Sequence, residues 1–85
     1  MRFSVTWTRD ALELLADAWL EARDQAAVAR AADEIDRLLA IDPLAIGESR
    51  VVDVRILIEL PLAVYYDVNP KDRKVTVWRV WQVQK

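Results

Sequence analysis

The sequence predicts an α+β domain of order β-α-α-β-β-β, a two-layer fold with a helix hairpin packed on one face of a mainly antiparallel four-stranded sheet. Three observations carry that expectation. Residues 50–82 form a run of β-branched and aromatic segments, interrupted by Pro61 and by Asn69-Pro70-Lys71-Asp72, as consecutive short strands joined by turns require. Residues 9–42 instead carry apolar side chains at helical spacing, with one break near Asp24. The 85 residues make a single domain, 1–85, with no room for a second core.

Each element follows from its residues. Phe3-Ser4-Val5-Thr6-Trp7 alternates apolar and polar side chains, so it reads as a first strand with one buried face. Thr8 offers a capping hydroxyl, and Asp10 stands in the first turn, where the helix dipole favours an anion. Leu12, Leu15, Trp19 and Ala22 then share one stripe, widened by Leu14 and Ala18, which predicts an amphipathic helix over residues 9–22. Asp24 is a second capping candidate, so the connection is short and the helices form an antiparallel hairpin. Val28, Ala31, Ile35, Leu38 and Leu39 make the second stripe, and Asp42-Pro43 ends it, because the residue before a proline avoids the α region. The alanines at 26, 27, 29, 31 and 32 let the two helices approach closely.

Residues 44–49 read as a loop holding the only glycine, Gly47, at a turn that needs positive φ or close backbone approach. Residues 51–60 read as one strand, 62–68 as the next and 75–81 as the last, with Pro61 in the first connection because it cannot donate to a ladder. Alternation places Val52, Val54, Ile56 and Ile58 with Leu62, Val64, Tyr66 and Val68 against the helices. Asp53, Arg55, Glu59, Tyr65 and Asp67 then take the opposite face. On the last strand Val75, Val77, Trp81 and Val83 form the more continuous apolar row, which points Trp81 into the core and leaves Trp78 on the open face near a partner.

Composition removes several function classes. The charged fraction of 31% and apolar fraction of 54% fit a soluble globular chain. No apolar run approaches the roughly 18–20 residues of a membrane span, so no membrane partner is expected. The first residues lack the apolar core and cleavage site of a signal peptide, and the absence of cysteine fits a reducing cytoplasm. Without histidine or cysteine there is no ordinary zinc site, no thiol nucleophile and no imidazole acid or base, and neither metal nor cofactor is expected. The net charge of −2 hides an asymmetry: residues 1–42 carry five basic and nine acidic side chains, whereas residues 71–85 carry five basic and one acidic. An acidic chain lacks the strong cationic footprint of a nucleic-acid binder.

The order and spacing of Val5-Thr6-Trp7-Thr8, Asp42-Pro43-Leu44, Gly47, Arg50, Arg55-Ile56-Leu57, Val64-Tyr65-Tyr66-Asp67-Val68 and Val75-Thr76-Val77-Trp78-Arg79-Val80-Trp81 resemble the RelE/ParE superfamily of type II toxin–antitoxin toxins. The resemblance spans nearly the whole chain and implies a toxin whose partner is a cognate antitoxin. It leaves the target divided. RelE-like members cut messenger RNA on the ribosome with basic side chains on the concave sheet face, whereas ParE-like members share the fold, lack that set and act on DNA gyrase. A third alternative is a catalytically inert interaction module of the same fold, and a homodimer is a further expected assembly.

The residues lean toward the binding branch. In-line attack by a 2′-hydroxyl needs cations around the phosphorane and a group to move protons. In the cutting branch an arginine commonly stands three residues before the third-strand tyrosine, and here that position is Ala63. Arg79 matches the basic position of the last strand, but no histidine or tyrosine follows it. The candidate catalytic cations are Arg50, Arg55, Arg73 and Arg79, and the candidate partner-binding residues are Tyr65, Trp78, Arg55 and Arg79.

Overall fold

The computed structural model describes residues 2–51 and 54–83, with the side chains of residues 50 and 51 outside that description. Strand β1 (Ser4–Trp7) leads into α1 (Arg9–Glu21) and α2 (Gln25–Ile41); β2 (Glu48–Val51), β3 (Val54–Glu59), β4 (Leu62–Asn69) and β5 (Lys74–Gln82) follow. Both predicted caps form: the Thr8 hydroxyl accepts from the Ala11 amide at 3.1 Å, and the Asp24 carboxylate accepts from the Ala27 amide at 3.0 Å. Asp42 caps the end of α2, its amide bonded to the Leu38 carbonyl at 3.2 Å.

The sheet has five strands in the order β1-β5-β4-β3-β2. Strand β1 lies parallel to β5, the helix hairpin and β2–β4 lying between them in the chain, while every other pair is antiparallel. The count differs from the expected four because the end of the expected loop, from Glu48 on, pairs as a strand of its own (Glu48–Val51), with Glu48 opposite Ile56 and Ser49 opposite Arg55. The run Val51-Val52-Asp53-Val54 carries no glycine or proline to mark a strand boundary. The β4–β5 turn is as expected: Asn69 exchanges side-chain and amide bonds with Asp72 at 3.2 Å, and Arg73 adopts φ 53°.

The core lies between the hairpin and one sheet face. Ala11 and Ala18 of α1 and Val28, Ala31, Ile35 and Leu39 of α2 pack on Leu57, Leu62, Val64, Tyr66, Val75, Val77 and Val80. Phe3, Val5 and Trp7 close one side, and the Trp7 indole donates to Asp36 of α2 at 3.1 Å. The alanines divide by face: Ala31 is buried, whereas Ala29 and Ala32 line an open groove with Leu12, Leu15 and Trp19.

Two expected face assignments are inverted. Strand β4 behaves as predicted, but Leu57 lies opposite Val64 and Arg55 opposite Tyr66, so Arg55, Leu57 and Glu59 share the helix-facing side. Ile56 and Ile58 therefore join Tyr65 and Ala63 on the outer face. Val54 pairs at the end of the β2–β3 ladder, and Val52 and Asp53 lie outside the described residues. On β5 the register shifts between the Tyr65–Arg79 and Tyr66–Val77 pairs, leaving Trp78 as an inserted residue. Such a bulge reverses the alternation beyond it. Val80 consequently enters the core, and Trp81 turns outward beside Tyr65 rather than inward.

The reason β3 turns its arginine inward is a polar latch under the loop that follows α2. The Tyr66 ring is wholly buried, with its hydroxyl 2.9 Å from both the Pro43 and Ile46 carbonyls. Arg55 donates from Nε to that hydroxyl at 3.3 Å, and from a terminal nitrogen to the Leu44 and Ile46 carbonyls at 3.1 and 3.0 Å. Gly47, at φ 72°, passes so close that a Cβ there would stand 2.6 Å from both the Ile56 carbonyl and the Tyr66 hydroxyl. Tyr66→Phe should therefore lose about 1–3 kcal/mol in denaturant melts, the cost of orphaning buried partners. Gly47→Ala should lose more than about 1 kcal/mol, because both its φ and the adjacent backbone oxygen oppose a side chain. Wild-type stability in either variant would remove the latch as a determinant of the fold.

Candidate partner-binding face

The outer face of the sheet carries the aromatic residues singled out in the sequence. Tyr65 of β4 lies opposite Arg79 of β5. Its ring stacks on Trp78 with centroids 5.3 Å apart and planes inclined by 22°, and meets Trp81 at 4.9 Å and 52°. These are the offset and tilted geometries that ring quadrupoles favour. Ala63, fully buried, lies opposite Trp81 on one side and Ile58 on the other. The small side chain leaves room for the larger neighbours, and Ile58 remains 54% exposed. An apolar strip thus crosses β3, β4 and β5 on the side of the sheet away from the helices.

The bulge gives Trp78 a second role in shaping this surface. With Arg79 it lines a groove whose other wall is Asp10, Glu13, Leu14 and Asp17 of α1. The three carboxylates fall near helical spacing on one side of α1, so they form a rim beside the aromatic strip. Arg9 faces Glu13 at 3.7 Å along the same helix. On the opposite side of the sheet, the Arg37 guanidinium on α2 hydrogen-bonds Glu34 and holds its carboxyl below the ordinary range.

The four candidate cations are not gathered at one point. Arg79 lies on the outer face, whereas Arg55 is on the helix-facing side, engaged in the latch. Arg73 ends the β4–β5 turn, six residues from Arg79, which along a strand is about 20 Å. Arg50 belongs to β2, three strands away from β5 or about 14 Å across the sheet, and its side chain falls outside the described residues. Of the four candidate partner-binding residues, Tyr65, Trp78 and Arg79 come together and Arg55 does not. The sequence reading missed Ile58, Trp81 and the α1 carboxylates. A reading that turned Arg55 inward would have placed the two isoleucines on the outer face by alternation alone, whereas nothing in the β5 sequence marks its bulge. Among the described residues, no group of three or more histidine, cysteine or acidic side chains is placed to hold a metal ion.

No family model and no curated protein matches this sequence. Solved structures do. A chain of the toxin–antitoxin complex RelBE2 from Mycobacterium tuberculosis aligns with a TM-score of 0.78 at 19% identity, covering 96% of this chain and 99% of that one. The chromosomal ParDE system of P. aeruginosa gives 0.67 at 20% identity, with 96% and 97% covered. The isolated E. coli RelE toxin gives 0.67 at 13%, with 98% and 86% covered. The chain thus has the fold shared by the RelE and ParE toxins, two helices on an open sheet.

The aromatic strip and the core should respond differently to truncation. Trp78→Ala should cost about 1 kcal/mol of folding stability, the worth of one ring pair. Ile35→Ala, in the sealed core, should cost about 2–5 kcal/mol. Paired denaturant melts test this order, and a larger loss at Trp78 would place its indole in the core.

Proposed function

We propose that this chain is the toxin of a type II toxin–antitoxin pair, cytoplasmic and neutralised by a cognate antitoxin, and that it acts as ParE-like toxins do, by binding a target such as DNA gyrase. The supporting observation is the make-up of the open sheet face: among the described residues, an apolar aromatic strip with one arginine, Arg79, instead of a cluster of cations. Cleavage of a phosphodiester needs several positive groups converging on one phosphate, with a proton carrier beside them. Arg55 is held by three carbonyl and hydroxyl oxygens on the other side of the sheet, and Arg73 is a long way down the strand. A binding surface asks for less. Large rings with a polar edge, set around one arginine, are the side chains that dominate protein interfaces.

The second reading is a ribosome-dependent endoribonuclease, and one feature favours it: Tyr65 and Arg79 lie directly opposite each other across β4 and β5. A tyrosine hydroxyl and a guanidinium on an open face are a minimal proton carrier and anion stabiliser.

Induced expression in a bacterial host separates the two readings. The binding toxin should arrest growth with altered DNA supercoiling and intact messenger 5′ ends. Co-expression of a small neighbouring gene encoding a DNA-binding domain with an amphipathic tail should relieve the arrest. New 5′ ends within coding regions, lost in Arg79→Ala, would transfer the assignment to the nuclease. Unimpaired growth would leave an inert module of the same fold.

A further inference from the structure

The open sheet face has a charge character that restricts what can cover it. The carboxylates bordering it come from three elements: Asp10, Glu13 and Asp17 of α1, Asp67 of β4, and Glu48 of β2, which lies opposite Ile56. Against them stand Arg79 and Lys74 on β5 and Arg9 beside Glu13. Among the described residues, the groove beside Trp78 is lined by three carboxylates and one cation, Arg79, next to a strip made of Ile58, Tyr65, Trp78 and Trp81. A polyphosphate backbone laid here would meet net repulsion along the α1 rim. A chain carrying lysine or arginine would meet attraction there, and its cation would lie against the ring of Trp78, an arrangement favoured by the indole quadrupole.

We propose that this face docks a cationic apolar segment of a partner protein, whose apolar side chains cover Tyr65, Trp78, Trp81 and Ile58 while its lysines or arginines face Asp10, Glu13 and Asp17. The inference deepens the binding-toxin reading by stating the chemistry of the partner at that site. Single-stranded RNA is disfavoured: bases could stack on the rings, but the phosphates would run beside three carboxylates.

The test uses the purified chain and three probes without tryptophan: a short peptide alternating lysine and leucine, its glutamate counterpart, and oligouridylate. Trp78 is exposed enough for a covering ligand to shift its emission. The lysine peptide should give a saturable shift that weakens with salt, while the other two should give none. The combined substitution D10N, E13Q and D17N should weaken peptide binding about tenfold, as expected for removing three exposed charge contacts. Trp78→Ala should weaken it as well, with the tryptophan signal read from Trp81 and folding verified by melting. Unchanged peptide affinity in the triple variant, or saturable binding of oligouridylate, would overturn the proposal. Growth arrest without peptide binding would overturn this inference and leave the toxin reading intact. Peptide binding without growth arrest would do the reverse.

Discussion

The buried hydroxyl of Tyr66 is the constraint on which the other features turn. A phenol has one hydrogen to give, yet this one lies 2.9 Å from two carbonyls and receives the Arg55 Nε–H in return. Between them the two side chains satisfy the carbonyls of Pro43, Leu44 and Ile46, in a loop that has left its helix and not yet entered a strand. Backbone oxygens in such a place need partners, because leaving them dry costs about as much as a lost hydrogen bond. The latch thereby closes the end of the core and fixes the position at which β2 begins. It also explains the only glycine, since any side chain at 47 would push into the hydroxyl itself.

Strand geometry carries that constraint across the sheet. Side chains alternate, so committing Arg55 to the inner side sends Ile56 and Ile58 outward whatever their hydropathy. The bulge on β5 has a comparable effect. Continuing the alternation of Val75 and Val77 would have driven Arg79 into the core, where an unpaired guanidinium is expensive. Inserting Trp78 moves Arg79 outward, places Val80 inside and brings Trp81 beside Tyr65. Two local solutions to the burial of arginine, one by hydrogen bonding and one by bulging, thus create the apolar face that distinguishes this chain.

The sequence made the helices legible because their signals are local. Thr8, Asp24 and Asp42-Pro43 act within a turn of the residues they cap or stop, and the structure places all three as read. The turn at 69–72 is legible for the same reason, with Asn69 bonding the chain three residues on. The site was only half legible. Tyr65, Trp78 and Arg79 were identifiable by type and by alternation, but the orientation of β3 depends on a bond between residues 11 apart. The fifth strand was hidden because Glu48-Ser49-Arg50 is polar and lacks the β-branched character of the other strands, and the bulge depends on a register shift between partner strands. Such features are settled by tertiary pairing, which single-strand periodicity does not encode.

A domain this small gives the open face particular weight. At about this length, folding removes only some 60–65% of the chain's surface from water, so the core has little reserve. Ile58, Trp78 and Trp81 would each contribute more stability inside than out, yet the fold keeps them on one side of the sheet. Exposed apolar groups scattered singly need no explanation, but several aligned across three strands favour association. The acidic rim of α1 then bears on which associations are favoured, opposing phosphate chains and attracting cationic segments. Stability and selectivity are set by different atoms of the same surface: the rings make an uncovered face costly, and the carboxylates restrict what can cover it.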